Sequence, residues 1–218
     1  MLASPPVYLR DRVRTIVYIA GFNFYYGAVK GTAIRWLDLQ GLCRALLAPH
    51  HRLVGIKYFA AKVSGRGDPQ RPQRQETYLR AIRAHIPLLS VHHGHFLTHA
   101  VSMPLVQPLN GRRTATVYKT EEKGSDVNLA VQLVNDAWAD ACDCTVLLSN
   151  DSDLAEALRV CKERGKMIGL LCPTRAAHRS AELMKHADFV KRIRARVIEN
   201  SQLPNPIPAT SIHKPIAW

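Results

Sequence analysis

The sequence lacks the features of a secreted, disulfide-linked or membrane-spanning protein. No apolar stretch reaches the length of a transmembrane helix. The apolar run at 15–22 is too short for a signal peptide and has no cleavage context. The five cysteines form no C-x-x-C pair, and most of them fall in apolar segments, which favours buried, reduced thiols. We therefore expect a cytoplasmic protein with no membrane partner.

Acidic residues are also scarce. Asp and Glu number 17 against 30 for Lys and Arg, so the formal net charge is +13. An excess of this size favours a polyanionic partner, most simply nucleic acid, although a solvated basic surface would give the same composition. The 218 residues suffice for one core. We predict a single domain over 1–200 and a Pro-rich tail over 201–218 that forms an extended arm.

Short apolar runs alternate along the chain with helical patterns. The runs predict strands at 15–20, 53–63, 86–96, 144–149, 166–172 and 188–193. The spacing of apolar residues predicts helices at 36–47, 76–85, 126–141, 153–165 and 176–187. Because the strand runs are continuously apolar, we predict an α/β fold of three layers, α/β/α, with a central, mostly parallel sheet. We predict a loop at 69–75 and irregular structure at 97–118.

Four acidic side chains are predicted to meet at one edge of this sheet. Asp151 and Asp153 directly follow a predicted strand, Asp126 opens a predicted helix on its sheet-facing side, and Glu122 comes just before that helix. Acids in a first helical turn also act as caps, which would explain one or two of them. Clustered carboxylates repel one another unless they share protons or bind cations, and oxygen ligands favour Mg²⁺ or Mn²⁺. The set therefore predicts a metal site suited to phosphodiester hydrolysis.

Three motifs carry a resemblance to a known family. They are "AGFNFYYG" (20–27), "KGSDVNLAVQL" (123–133) and "LLSNDSDLAEAL" (147–158). In this order and spacing the sequence resembles the NYN domains, PIN-like metal-dependent ribonucleases, and in particular their LabA-like branch. The resemblance implies a PIN-like, Rossmann-like fold and a Mg²⁺- or Mn²⁺-dependent endoribonuclease acting on single-stranded or structured RNA. It also suggests a toxin or defence nuclease, with a homodimer, an antitoxin or another regulatory protein as partners.

The resemblance fails at one important position. The family's first-strand motif has a metal-binding aspartate where this chain has Ala20, while Gly21, Asn23 and the Tyr-Tyr-Gly that follows are intact. We favour an Asp→Ala replacement that silences the enzyme, with a natural pseudo-enzyme as the alternative. A second family acid is also missing, since Gln132 occupies its position.

The resemblance implies a catalytic role for Asn23 beside the Ala20 position and the four acids. Basic and polar residues next to the motifs or in predicted loops are candidates for RNA contacts: Lys123, Ser149, Arg66, Arg71, Arg74, Arg112 and Arg113. A non-catalytic RNA-binding regulatory module on the same fold is the main alternative. A phosphatase or Toprim-like enzyme is disfavoured, because both need an acid at the end of the first strand.

Overall fold

The computed structural model describes residues 12–65, 67–173 and 179–216. The strands are β1 (Val13–Ala20), β2 (His51–Ala61), β3 (Leu89–Leu109), β4 (Arg112–Lys123), β5 (Cys144–Leu148), β6 (Met167–Cys172) and β7 (Phe189–Arg192). The helices are α1 (Gly21–Phe24), α2 (Leu39–Leu46), α3 (Arg71–His85), α4 (Ser125–Trp138), α5 (Ala155–Glu163), α6 (Ala181–Met184) and α7 (Ala195–Asn200). A π-helical turn (Tyr25–Val29) extends α1, and a 3-10 turn (Ser152–Leu154) precedes α5.

The sheet has the strand order β4-β3-β2-β1-β5-β6-β7, and every pair except β3–β4 is parallel. Its two faces carry separate cores. From β1, Val17 and Ile19 pack with α2 and α3, whereas Tyr18 and Ala20 face α4 and α5. Burial on both faces accounts for the continuous apolar runs, and the predicted α/β/α fold with a mostly parallel sheet is confirmed.

Strands β3 and β4 form a long antiparallel hairpin. The prediction of irregular structure at 97–118 was therefore wrong. Most side chains of this hairpin are exposed on both faces, so its sequence has no alternation of apolar and polar residues to indicate a strand. Asn110 and Gly111 both adopt positive φ at its tip, and such an Asn-Gly pair is a strong hairpin signal.

The prediction of a loop at 69–75 was also wrong in part, because α3 begins at Arg71. Pro72 lies in the first turn of α3, where a missing backbone N–H removes no helical hydrogen bond. Of the helix predicted at 176–187, residues 176–178 lie outside the described ranges, and α6 occupies only the centre of the rest. Helix α7 was not predicted.

The Pro-rich C-terminal segment has little regular structure, but it packs on the domain and is not a projecting arm. The Leu203 backbone N–H donates to the Trp36 carbonyl at 2.8 Å, and the Trp36 indole N–H donates to the Pro204 carbonyl at 3.0 Å. Leu203 and Ile207 are buried in the core beside α2 and α7. Apolar residues between the prolines therefore hold this segment against the fold.

Two further expectations concern cysteines and membrane spans. All five cysteines are buried and unpaired, and burial raises the pKa of Cys43, Cys144 and Cys161 to about 12. Their thiols are thus held in the protonated, unreactive form. Within the described ranges, none of the helices combines the length and the apolar character needed to cross a membrane.

Candidate functional site

The end of β1 leads directly into α1, which places Ala20 at the carboxyl edge of the sheet. Ala20 is 3% exposed and lies on the face that α4 covers. The next residue has to be glycine, because a Cβ on Gly21 would lie 2.7 Å from the Phe59 carbonyl oxygen and the Tyr58 ring. The backbone at this point is therefore closely packed, and the Ala20 methyl group stands where the resemblance to NYN domains leads us to expect a carboxylate.

Helix α4 begins beside this point and carries Asp126 in its first turn. The preceding Gly124 has a φ of 91°, a backbone conformation that favours glycine. Glu122, near the end of β4, accepts a hydrogen bond from the Ser125 backbone N–H at 3.0 Å. This side chain thus satisfies one of the N–H groups that a helix start leaves unpaired.

Gly94 on β3 makes this arrangement possible. A Cβ at Gly94 would lie 2.4 Å from Glu122 Oε1, 2.6 Å from the Lys123 carbonyl oxygen and 2.8 Å from the Ser125 nitrogen. No side chain fits there without displacing the start of α4, so Gly94 is part of the structure that places Glu122.

The segment after β5 brings the other two acids to the same edge. Asp151 N–H donates to the Ser149 hydroxyl and Asp153 N–H donates to Asp151 Oδ1, both at 3.1 Å. Asn23 from α1 accepts from the Asn150 backbone N–H at 3.0 Å. Asn23 therefore ties the Ala20 turn to the loop that carries the acids.

The electrostatics show that the other three carboxylates act on Asp126. The pKa of Asp126 is raised, first by burial and then by the negative charges of Asp151, Glu122 and Asp153. Like charges raise a carboxyl pKa in this way only when they lie close by. Asp126 is thus the centre of a group of acids, which we call the carboxylate rim: Glu122, Asp126, Asp151 and Asp153.

The carboxylate rim fits a divalent cation in the kind of donor but not in the arrangement of the donors. Its donors are all oxygens, which Mg²⁺ and Mn²⁺ prefer. Across 12–65, 67–173 and 179–216, however, no group of three or more His, Cys, Asp or Glu side chains is arranged to hold a metal ion. The Ala20 position, where the family motif supplies an aspartate, borders the same edge.

The residues predicted to contact RNA are dispersed. Ser149 is fully buried, so its predicted RNA contact is wrong, and its hydroxyl instead holds the Asp151 backbone. Lys123 is half exposed and lies 3.5 Å from Glu121 in an ion pair. Arg74 lies on α3 rather than in a loop, and it pairs with Asp68.

The remaining arginines that we predicted as RNA contacts are all at the surface where the structure describes them. Arg71 is exposed at the start of α3. Arg112 and Arg113 are exposed at the start of β4, next to the hairpin tip. Arg66 lies outside the described residues. The structure thus brings the rim acids together but distributes these cations over two elements.

Sequence reasoning missed a buried polar network on the same face of the sheet. The Tyr18 hydroxyl donates to Asp136 Oδ2 at 2.6 Å, and the Lys57 ammonium lies 2.6 Å from the same oxygen and donates to Gln132 at 2.7 Å. Gln132, at the position of the second family acid, is thus uncharged, and its side-chain oxygen accepts a hydrogen bond from the Lys57 ammonium. Asn150 was also missed, although it adjoins the Asp-Ser-Asp motif and bridges to the Ser180 N–H at 2.9 Å.

Carboxylates at the carboxyl edge of an α/β/α sheet occur in several classes of hydrolase, so the fold and these acids do not define the class by themselves. The NYN domain family model matches residues 14–193, so the chain belongs to the NYN domain family. Membership indicates a ribonuclease-type hydrolase fold, and nucleases of this type generally depend on divalent metal ions. Assignment to the LabA-like branch stays a prediction, as does an aspartate at position 20 in a parent sequence.

One relative carries the name of a different activity. The chain is 34% identical over 239 aligned residues to a protein named 6-hydroxy-3-succinoylpyridine 3-monooxygenase HspA from Pseudomonas putida. The alignment covers 95% of this chain and 76% of that protein.

A solved structure supports the fold alone. A protein of unknown function from Vibrio parahaemolyticus matches with a TM-score of 0.52 and 18% sequence identity. The match covers 85% of this chain and 95% of that one.

Proposed function

We propose that this domain is a metal-dependent endoribonuclease whose catalytic site is impaired by Ala20. The observation that supports it most directly is the carboxylate rim centred on Asp126, next to the position where the family motif carries an aspartate. A strongly basic chain with a local group of acids is the charge distribution that an RNA hydrolase needs. The basic surface attracts the polyanion, and the acids form the reaction centre.

The four acids of the rim, Glu122, Asp126, Asp151 and Asp153, would hold the ion. A bound Mg²⁺ or Mn²⁺ supplies charge neutralisation at the phosphate and a more acidic bound water. Ser149 and Asn23 hold the Asp151 loop through its backbone N–H groups. Helix α4 presents the positive end of its dipole at the same edge, which favours a phosphate there.

The test is RNA cleavage by the chain and by its Ala20→Asp variant. Each is incubated with end-labelled single-stranded and hairpin RNAs in Mn²⁺ or Mg²⁺, and the products are separated on a gel. We expect Ala20→Asp to cleave at least roughly 10–100-fold faster, since even loss of a group that only orients a metal ligand has an effect of this size. EDTA should stop the reaction.

Matched variants distinguish the loss of a metal ligand from the loss of the fold. Asp126→Asn or Asp153→Asn in the Ala20→Asp background should abolish cleavage while RNA binding stays equal or strengthens, because negative charge is removed. Equal cleavage with and without Ala20→Asp would refute the role of that position. Absence of cleavage in every variant, with RNA binding retained, would favour the non-catalytic RNA-binding module.

A second candidate, oxygenation of a small aromatic acid, is favoured by the relative from Pseudomonas putida and by a cavity beside α1. That cavity has Phe22, Tyr26 and Tyr58 in its walls together with cationic side chains, which suits an aromatic anion. The chain is incubated with 6-hydroxy-3-succinoylpyridine, NADH and air, with and without added flavin, and the substrate is followed by chromatography. Substrate loss no faster than without protein would dismiss this candidate.

A further inference from the structure

A well-formed cavity lies between α1 and α3, on the opposite face of the sheet from the carboxylate rim. It has a volume of about 500 Å³, within the range of roughly 300–1,000 Å³ typical of small-molecule sites. The π-helical turn after α1 forms one wall, the end of β2 forms the floor, and the first turns of α3 form the other wall. We call this space the α1–α3 cavity.

The walls of the α1–α3 cavity combine aromatic rings with positive charge. The partly or fully accessible aromatic side chains in its walls are Phe22, Tyr25, Tyr26, Tyr58 and Tyr78. The cationic side chains are Lys30, Arg35, Arg71 and Arg74. Among the described lining residues one carboxylate, that of Asp68, opposes these four cations. The cavity therefore suits a ligand that is both aromatic and anionic.

Several contacts hold the walls in place without a ligand. The Tyr78 hydroxyl donates to the Leu37 carbonyl at 3.1 Å. Gln75 accepts from the Val63 N–H and donates to the Ala61 carbonyl, both at 2.9 Å, and so joins α3 to the end of β2. A preformed site of this kind loses little freedom when it binds.

One of the four positive charges in the cavity walls is neutralised by an ion pair. Arg74 pairs with Asp68 and lowers the pKa of that carboxyl, so Asp68 is ionised at neutral pH and one positive charge is offset. Arg71 is exposed at the start of α3, and Lys30 lies 4.7 Å from the centre of the Tyr26 ring. Cations remain in excess at the mouth, where the anionic part of a ligand would lie.

The α1–α3 cavity and the carboxylate rim are neighbours at the same edge of the sheet. The Phe22 ring, in the cavity wall, meets the Phe96 ring at 5.5 Å in an edge-to-face contact. Phe96 pairs with Glu122 across the β3–β4 hairpin. The Phe22–Phe96 contact thus links a wall of the cavity to the strand pair that carries Glu122.

We propose that the α1–α3 cavity binds a planar aromatic ring that carries a negative charge, with the ring against the tyrosines and the anion at Arg71. Two sources supply this chemistry: a nucleotide of an RNA strand, or a free aromatic acid. Binding here needs neither a metal ion nor cleavage, so the inference stands apart from the proposed hydrolysis.

The test is calorimetric titration of the intact chain in EDTA at low salt, where no cleavage occurs. The probes are the nucleoside 5′-monophosphates, a five-nucleotide single-stranded RNA, and 6-hydroxy-3-succinoylpyridine. Ribose 5-phosphate and the uncharged nucleosides are controls that lack the ring or the anion. We expect the complete aromatic anions to bind more tightly than either half.

The variants are matched by residue type and exposure. Tyr26→Ala should weaken binding by roughly 5- to 150-fold, the effect of removing one stacking ring. Tyr118→Ala, at an exposed tyrosine on β4 away from the cavity, should leave binding unchanged. Arg71→Ala should remove the preference for charged over uncharged probes, whereas Arg80→Ala, farther along α3, should not.

The outcomes distinguish the two sources. Tighter binding of the RNA than of the mononucleotides identifies a nucleotide subsite, and binding of the aromatic acid that RNA does not displace identifies a free small molecule. Both support the cavity as a binding site. Absence of binding by every aromatic anion, or binding that Tyr26→Ala and Arg71→Ala leave unchanged, would overturn the inference.

Discussion

Substituting Gly94 by alanine should damage the fold where β3 packs against Glu122 and the start of α4. The added methyl carbon would lie 2.4 Å from Glu122 Oε1, 2.6 Å from the Lys123 carbonyl oxygen and 2.8 Å from the Ser125 nitrogen. Glu122 can rotate away, but it then abandons its hydrogen bond to Ser125. The other two atoms belong to the backbone, so the start of α4 has to move.

The size of the effect follows from these contacts. Overpacking of this kind costs about 1–3 kcal/mol, and losing the hydrogen bond at the helix start costs about 1 kcal/mol more. The free energy of unfolding should fall by about 2–4 kcal/mol. For a chain of this size that corresponds to a fall in Tm of roughly 4–16 °C.

Thermal unfolding followed by circular dichroism measures this difference, and Gly55→Ala is the matched control. Gly55 also lies in a strand, but its added Cβ would be 3.5 Å or more from its neighbours, an ordinary contact. Gly55→Ala should leave stability unchanged or raise it by about 0.4–1 kcal/mol. If Gly94→Ala were as stable as Gly55→Ala, the described packing of Glu122 against β3 would be wrong.

Three further predictions concern charge. The pKa of Asp126 is raised in the folded state. Its favourable contribution to the free energy of unfolding is therefore fully present below the ordinary pKa of 3.8, and it is lost as the pH rises through the folded pKa. Asp126→Asn should therefore raise Tm at pH 7 in EDTA, by a margin that shrinks towards pH 4; a lower Tm at pH 7 would contradict this. Asp136→Leu should lower the free energy of unfolding in urea by about 3–5 kcal/mol, because it leaves the Lys57 ammonium and the Tyr18 hydroxyl without their shared partner; a loss under 1 kcal/mol would show that the network is not buried as described. RNA affinity, measured by filter binding, should fall linearly with the logarithm of salt concentration at a slope of about −0.7 per phosphate contact, and a flat line would exclude an electrostatic interface.

The sequence was most informative where local pattern and tertiary environment agree. Strands such as β1 and β5 are buried on both faces, so their apolar runs were visible without a structure. The order of the three motifs then placed Asp126 and Asp151 at one edge of the sheet. Parallel strands share a carboxyl edge, which makes this inference possible from spacing alone.

The failures share a different physical cause. The β3–β4 hairpin is held by backbone pairing rather than by an apolar face. Its sequence therefore has no alternation of apolar and polar residues from which strands could be predicted. Tyr18 looked like one more residue of an apolar run, because its partner Asp136 lies 118 positions away in the sequence. The α1–α3 cavity is likewise built from three elements that are far apart in the sequence, so no single segment could predict it.

The central claim is that the carboxylate rim is a divalent-cation site made incomplete by Ala20. Its most direct measurement is titration of Mn²⁺ into the chain, Ala20→Asp and Ala20→Asn, with free Mn²⁺ followed by electron paramagnetic resonance. The asparagine variant has the size of the aspartate without its charge. We predict that Ala20→Asp binds Mn²⁺ at least roughly 10–100-fold more tightly than the chain with alanine, and that Ala20→Asn recovers little of this gain. Equal Mn²⁺ affinity in all three proteins would contradict the account.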